Sequence, residues 1–262
     1  MLYLAATSSH IEHLANDQVG IMTSPRARSV HGIHAGRPWG MDCDVFSGPG
    51  YNEDAHLAFI ERLTPMHATC LFMVVPDVPG DGAATRVLWE HGLPLYAITG
   101  LPLAYVMHDG CEQEDLPEEA DVMFLGGTDP WREAWGAVML QRAADLGKRT
   151  HVGRVNSRRR VTNLALLHAD SCDGTYLAFQ GRDTGLARIG GWLDAANTAL
   201  FRPEDFTPTP IRRTLLKGHA ATWGKGVRPA PRGPDMRGQP LLLPWPAGPA
   251  TDGEDLAPAQ AA

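Results

Sequence analysis

Short apolar runs alternate with segments of helical length through the first 200 residues. Leu2–Ala6, Met41–Phe46, Cys70–Val75, Leu103–Met107, Val122–Leu125 and Thr150–Val152 are brief and bounded by turn formers, the pattern of buried strands. A shorter run falls at Ser171–Cys172. Between them the periodicity predicts helices over Asn52–Leu63, Gly82–His91, Pro130–Leu146 and Asn156–His168. Asn52 and Asn156 suit helix N-caps, because a side-chain oxygen can accept from an unsatisfied first-turn amide. Asp129-Pro130 reads as a cap followed by proline at the first helical position.

Repeated β–α units with buried strands predict a parallel sheet covered by helices. Eight such units close a (β/α)8 TIM-like barrel, and six or seven are legible here. An open doubly wound sheet is the alternative, but no G-x-G-x-x-G follows an early strand. The pattern fades near Arg202. Residues 1–202 therefore form the expected barrel unit, and 203–262 an extended Pro/Gly-rich C-terminal tail that begins basic and ends Pro-rich, with Leu241–Trp245 as its apolar segment.

Charge changes the picture only locally. The 262 residues carry a formal net charge of −7, yet residues 207–237 hold seven Lys or Arg against one Asp. A basic segment matters more to a polyanion than the total does. Arg212, Arg213, Lys217, Lys225 and Arg228, with Trp223 among them, suit either a strand-holding segment or a solvated tail. Cys43, Cys70, Cys111 and Cys172 form no C-x-x-C pair, which speaks against a zinc knuckle or a disulfide scaffold and for reduced thiols in a cytosol. No apolar run is long enough to span a membrane, and MLYLAATSSHIEHL lacks the marks of a signal peptide.

In a (β/α)8 barrel, catalytic groups project from the C-terminal ends of strands. Asp42 and Asp44 stand at such a place in WGMDCDVF, Asp77 in LFMVVPD, and His108 with Asp109 in AYVMHDG. Gly126-Gly127-Thr128, then Gly153, Arg154 and Asn156, and finally Asp173 continue the series. Any one aspartate can simply start a turn. Several on one rim suit a carboxylate site in which one group attacks carbon and another moves protons. Exchange at a sugar C1′, glycosidic hydrolysis and a non-catalytic base-binding barrel all fit that pattern. Asp170 reads as a cap or turn residue, Cys172 as packing, and Arg158, Arg159 and Arg160 as phosphate contacts or a solvated helix face. No organic cofactor or metal is called for, since the histidines form no ligand pair with a nearby acid.

WGMDCDVF, LFMVVPD, FLGGT and HADSCDGT follow one another as in the tRNA-guanine transglycosylase (queuine tRNA-ribosyltransferase) superfamily, which residues 1–200 resemble. HVGRVNSRRR leading into DSCDGTYLAF is most similar to the short, phage-type branch proposed to place 7-deazaguanines in DNA. The resemblance implies that Asp173 is the nucleophile and Asp42 the proton-handling aspartate. It implies Phe46 as the aromatic stacked on the base, Asp77 as the reader of its donor edge, and Gly126 and Gly127 as backbone contacts. His108 stands where the family usually has glutamine, and is the expected base contact, its imidazole donating to a purine carbonyl when in the right tautomer. Arg154, Asn156, Arg158, Arg159, Arg212, Arg213 and Lys217 are the expected nucleic-acid contacts.

The chain departs from the tRNA enzymes in three ways. Asp44 and Val45 replace glycines, Gly174-Thr175-Tyr176 replaces Pro-Thr-Arg, and the zinc-binding C-x-C-x-x-C is missing. These departures favour DNA over tRNA as the polymer. The implied partners are DNA and a free 7-deazaguanine such as 7-cyano-7-deazaguanine, with a partner protein or second copy as a source of further contacts. The implied location is cytoplasmic, in the host if the chain is phage-borne.

Overall fold

The computed structural model describes residues 1–7, 17–45, 50–180 and 182–198. Eight parallel strands close into a barrel in sequence order: β1 (Leu2–Ala6), β2 (Val19–Thr23), β3 (Trp39–Met41), β4 (Cys70–Val74), β5 (Leu103–Met107), β6 (Val122–Leu125), β7 (Arg149–Val152) and β8 (Ser171–Gly174). Closure comes from β8 pairing with β1, with Leu4 opposite Asp173. The crossovers carry α1 (His31–His34), α2 (Glu53–Leu63), α3 (Gly82–Ala97), α4 (Asp129–Asp145) and α5 (Arg158–Leu166), followed by α6 (Tyr176–Phe179) and α7 (Arg182–Thr198). This is the expected (β/α)8 fold. The tail, with Arg212, Arg213 and Lys217, lies outside the described residues, as does Phe46.

Two apolar layers hold the barrel. Outward-facing strand residues such as Tyr3, Ile21, Met41, Met73, Tyr105 and Met123 join the helices in one buried cluster. Leu4, Phe72, Val74, Ala104, Val106, Val122 and Phe124 fill the lumen as a second. Residues two apart face the same side of a strand. The lumen stays close-packed because small residues face large ones: a Cβ on Gly40 would sit 2.5 Å from the Phe72 ring, and one on Gly20 would sit 2.6 Å from a Leu4 methyl.

Several element boundaries differ from the expectation. The strand expected over Met41–Phe46 is β3 and stops at Met41, because Asp44 takes a left-handed φ of 66° and turns the chain. The short strand β2 and the helices α1, α6 and α7 were not legible. Helix α3 runs past His91 to Ala97 despite Pro94, since Trp89 and Tyr96 anchor the two sides of the proline in the core. Asn52 caps α2 as expected, accepting from the Ala55 amide. Ser157, not Asn156, caps α5, and Thr128, not Asp129, caps α4. In both, a hydroxyl reaches the first-turn amide from one position away.

Candidate active site

The acids of the upper rim converge, and each has a distinct environment. Asp42 follows β3 directly, and its amide still donates to the Thr23 carbonyl at 2.8 Å, so the strand's direction carries it to the mouth. One of its oxygens accepts from the Asp44 amide at 3.0 Å. Burial pushes the Asp42 carboxyl up to about 7, and the negative charges of Asp77 and Asp173 add to the effect. The residue as a whole is nevertheless partly open to solvent. Asp44 does not share this role. It accepts from the Arg26 amide at 3.0 Å and, with the Arg26 guanidinium, pins the turn after β3.

Asp77 is buried, with His108 Nε2 at 2.6 Å from one oxygen and the Cys43 thiol donating to the other at 3.4 Å. His108 Nδ1 accepts two amides, Gly127 at 2.8 Å and Gly80 at 3.2 Å. A nitrogen accepting two N–H bonds carries no proton, so the hydrogen sits on Nε2 and points at Asp77. His108 is therefore committed on both sides and holds Asp77, rather than presenting a free nitrogen to a ligand.

Gly126 and Gly127 stand beside this pair. Gly127 has φ of 73° and packs on Trp131, while its amide serves His108. A Cβ on Gly126 would sit 2.7 Å from Val106 and 2.9 Å from the His108 ring. Both glycines are required by packing, and Gly126 is the one that remains partly exposed on the rim. Asp109 accepts from the Thr128 amide at 2.8 Å and the Thr128 hydroxyl at 2.6 Å, a structural post that fixes the start of α4.

Asp173 projects from β8, with its side chain about a fifth exposed. Its Oδ1 lies 3.1 Å from His151 Nε2, and His151 Nδ1 lies 2.8 Å from the Ser171 hydroxyl. Oδ2 takes no hydrogen bond among the described residues. The Val155 amide donates to the Asp173 carbonyl at 2.6 Å. Asn156 Oδ1 accepts from the Thr175 and Tyr176 amides at 2.8 and 2.9 Å, so it braces the turn behind Asp173. Its carbonyl is thereby spent on the fold rather than on a polymer. Asp170 is structural as expected, accepting from the Thr150 amide at 2.7 Å.

Cations rim the same side. Arg154, at φ of 58°, donates to the Gly127 carbonyl and lies 3.6 Å from Asp129. Arg158 and Arg159 are exposed in the first turn of α5, where no acidic residue stands. Arg132, absent from the sequence expectation, is almost entirely buried and donates to the Gly153 carbonyl. Burial and the neighbouring Arg154 push its guanidinium down to about 10. His151 and Ser171 were also missed. Their signal was available, since a histidine or serine at an inward position of a buried strand is unusual enough to ask for a partner.

No group of three or more metal-ligating side chains occurs among the described residues. No described helix is long and apolar enough to cross a membrane.

No family model matches the sequence, and no curated protein matches it. Among solved structures, a doubly substituted flavocytochrome b2 with sulfite bound is similar at 15% identity, with a TM-score of 0.56 over 87% of this chain and 72% of that one. The recombinant flavin-binding domain of baker's yeast flavocytochrome b2 gives 16% identity and a TM-score of 0.55, over 87% and 71% of the two chains. At such identity the likeness concerns the barrel fold alone.

Proposed function

We propose that this chain is a base-exchange transglycosylase, which replaces guanine in a polynucleotide, DNA by preference, with a free 7-deazaguanine. The observation that carries the reading is the division of labour between Asp42 and Asp173. One carboxyl is pushed up to about 7 by burial and neighbouring charge, while the other is partly solvated and lies 3.1 Å from His151 Nε2. Pairs of acids whose surroundings differ in this way take different roles, one as acid and base and the other as anion.

In the first half-reaction an Asp173 oxygen attacks C1′ of the target nucleotide. The C1′–N9 bond breaks, its electron pair leaves with guanine, and Asp42 donates a proton to the departing base. In the second half-reaction N9 of the incoming 7-deazaguanine attacks C1′. Its proton passes to Asp42 and the Asp173 carboxylate leaves, so that two inversions retain configuration. A group titrating near neutrality can work in both directions at pH 7. Asp77, held by His108 and Cys43, is the acceptor for donor groups on the base edge, and Gly126 is the exposed backbone beside it.

The exposed arginines of α5 support a polyanionic substrate. Arg158 and Arg159 stand at the positive end of a helix dipole, an arrangement that costs stability unless an anion offsets it. The target base must be flipped or unpaired, because a stacked base hides C1′, at a cost of about a few kcal/mol.

The test is incorporation of labelled guanine and of 7-cyano-7-deazaguanine into guanine-containing DNA and RNA by the purified protein. Exchange that Asp173→Asn abolishes supports the reading. Release of free guanine without incorporation makes the protein a hydrolase, and no reaction with either polymer overturns the proposal.

A further inference from the structure

His151 is an expensive residue to place where it is. It is fully buried, inside the barrel lumen, with the Phe72 and Phe124 rings each 4.5 Å from its own. A buried imidazole costs free energy unless both nitrogens are satisfied. Here both are, and by the same strand: β7 pairs with β8 so that His151 lies opposite Ser171, and Ser171 and Asp173 are two apart on β8. Both therefore face the lumen, and the imidazole bridges them, Nδ1 to Ser171 at 2.8 Å and Nε2 to Asp173 at 3.1 Å.

We infer that His151, braced on its Nδ1 side by the Ser171 hydroxyl, is a positioning residue that binds Oδ1 of Asp173 and leaves Oδ2 as the attacking atom. The inference rests on Asp173 being the nucleophile. An ionised carboxylate only accepts, so Nε2 must carry the hydrogen. A neutral imidazole could equally place its proton on Nδ1 and turn a lone pair toward the carboxylate, which would repel it. A serine hydroxyl can donate or accept, so the carboxylate settles the tautomer, and the Ser171 hydroxyl, donating to the bare Nδ1, holds the ring in place. Gly153 packs beside the same oxygen: a Cβ there would stand 3.2 Å from Oδ1 and 2.9 Å from Phe124.

The bond acts differently in the two half-reactions. During attack it fixes the rotamer of Asp173. In the covalent intermediate Oδ2 is bonded to C1′ and Oδ1 is the carbonyl oxygen of the ester. When the incoming base displaces Asp173, the C1′–Oδ2 bond breaks and negative charge returns to the carboxylate. The Nε2 hydrogen is already aimed at that charge. Ser171 thereby serves the second half-reaction through His151 without touching substrate.

The test uses the full chain with 15N-labelled histidine, as parent, Ser171→Ala and Ser171→Thr, with His151→Gln to assign the signal. In the parent, NMR shows Nε2 protonated and Nδ1 as a hydrogen-bond acceptor. Ser171→Ala leaves Nε2 protonated but removes the hydrogen bond to Nδ1, and Ser171→Thr restores it. In base exchange, Ser171→Ala lowers kcat about tenfold, the weight of one buried hydrogen bond, with KM for the free base unchanged, and Ser171→Thr recovers kcat. A neutral parent imidazole with its proton on Nδ1, or Ser171→Ala with Nδ1 and kcat as in the parent, overturns the inference. A parent that exchanges no base overturns the role of Asp173, while the NMR measurement still decides whether His151 donates to Asp173 and Ser171 braces it.

Discussion

Asp42→Asn is expected to inactivate the protein and, at neutral pH, to stabilise it. An unfolded Asp titrates near the usual 3.8, whereas burial, Asp77 and Asp173 lift folded Asp42 to about 7. Between those values the folded state holds a proton that the unfolded chain has lost. The contribution is therefore fully present below pH 3.8 and is lost as pH rises through 7. Roughly three pH units at ~1.4 kcal/mol each set a ceiling of about 4 kcal/mol. Because the residue is partly open to water, about 2 to 3 kcal/mol is the expected size.

His56 sets an opposing slope that the assay must separate. It is buried between Tyr51 and Tyr96, and burial lowers it from 6.5 to about 4. Its unfolded form binds the extra proton, so its contribution is present above pH 6.5 and lost as pH falls through 4. From pH 4 to 6.5 the two groups nearly cancel in the parent, and above 6.5 only the loss from Asp42 remains. Urea denaturation from pH 4 to 8.5 should give a nearly flat parent curve that declines above 6.5. The Asp42→Asn curve should rise to 6.5 and then hold level. Parallel curves for the two proteins would refute the placement of Asp42 and, with it, the assignment of the proton-handling group.

The other expectations are narrower. His56→Phe should remove the acid-side loss, keeping the aromatic packing while eliminating two buried nitrogens that have no hydrogen bond among the described residues, as read from denaturation at pH 4.5 against pH 7. Gly127→Ala combines a positive φ with a clash against Trp131, and should lower stability by about 1 to 3 kcal/mol in the same assay. Arg158→Ala with Arg159→Ala should leave thermal stability equal or slightly higher, since two cations leave a helix N-terminus. The same pair should weaken DNA binding and reduce the slope of log K against log salt by about 1 for each phosphate no longer neutralised, measured by fluorescence anisotropy.

Which strand ends carry acids was legible from the sequence, because a polar residue closing an apolar run is a local pattern. Asp42, Asp77 and Asp173 all stand where that pattern puts them. The group that sets the state of each acid was not legible, because it arrives from a neighbouring strand. His108 lies 31 residues from Asp77, and His151 lies 22 from Asp173. The β5–β6 and β7–β8 regions could show these residues only as polar positions in or after apolar runs. The same limit hid the lumen: Gly20 and Gly40 look like strand breakers until Leu4 and Phe72 fill the space above them. It also hid β2, whose five residues include one of those glycines. His108 is the sharper case, since the sequence placed it correctly but assigned it to the ligand. Two backbone amides on Nδ1 fix its tautomer and turn its only hydrogen toward Asp77. For His151 the Asp173 carboxylate is itself the acceptor, with the Ser171 hydroxyl behind the ring. Two rim acids, Asp77 and Asp173, thus each lean on a buried histidine braced from behind, an arrangement that the pairing of adjacent strands assembles.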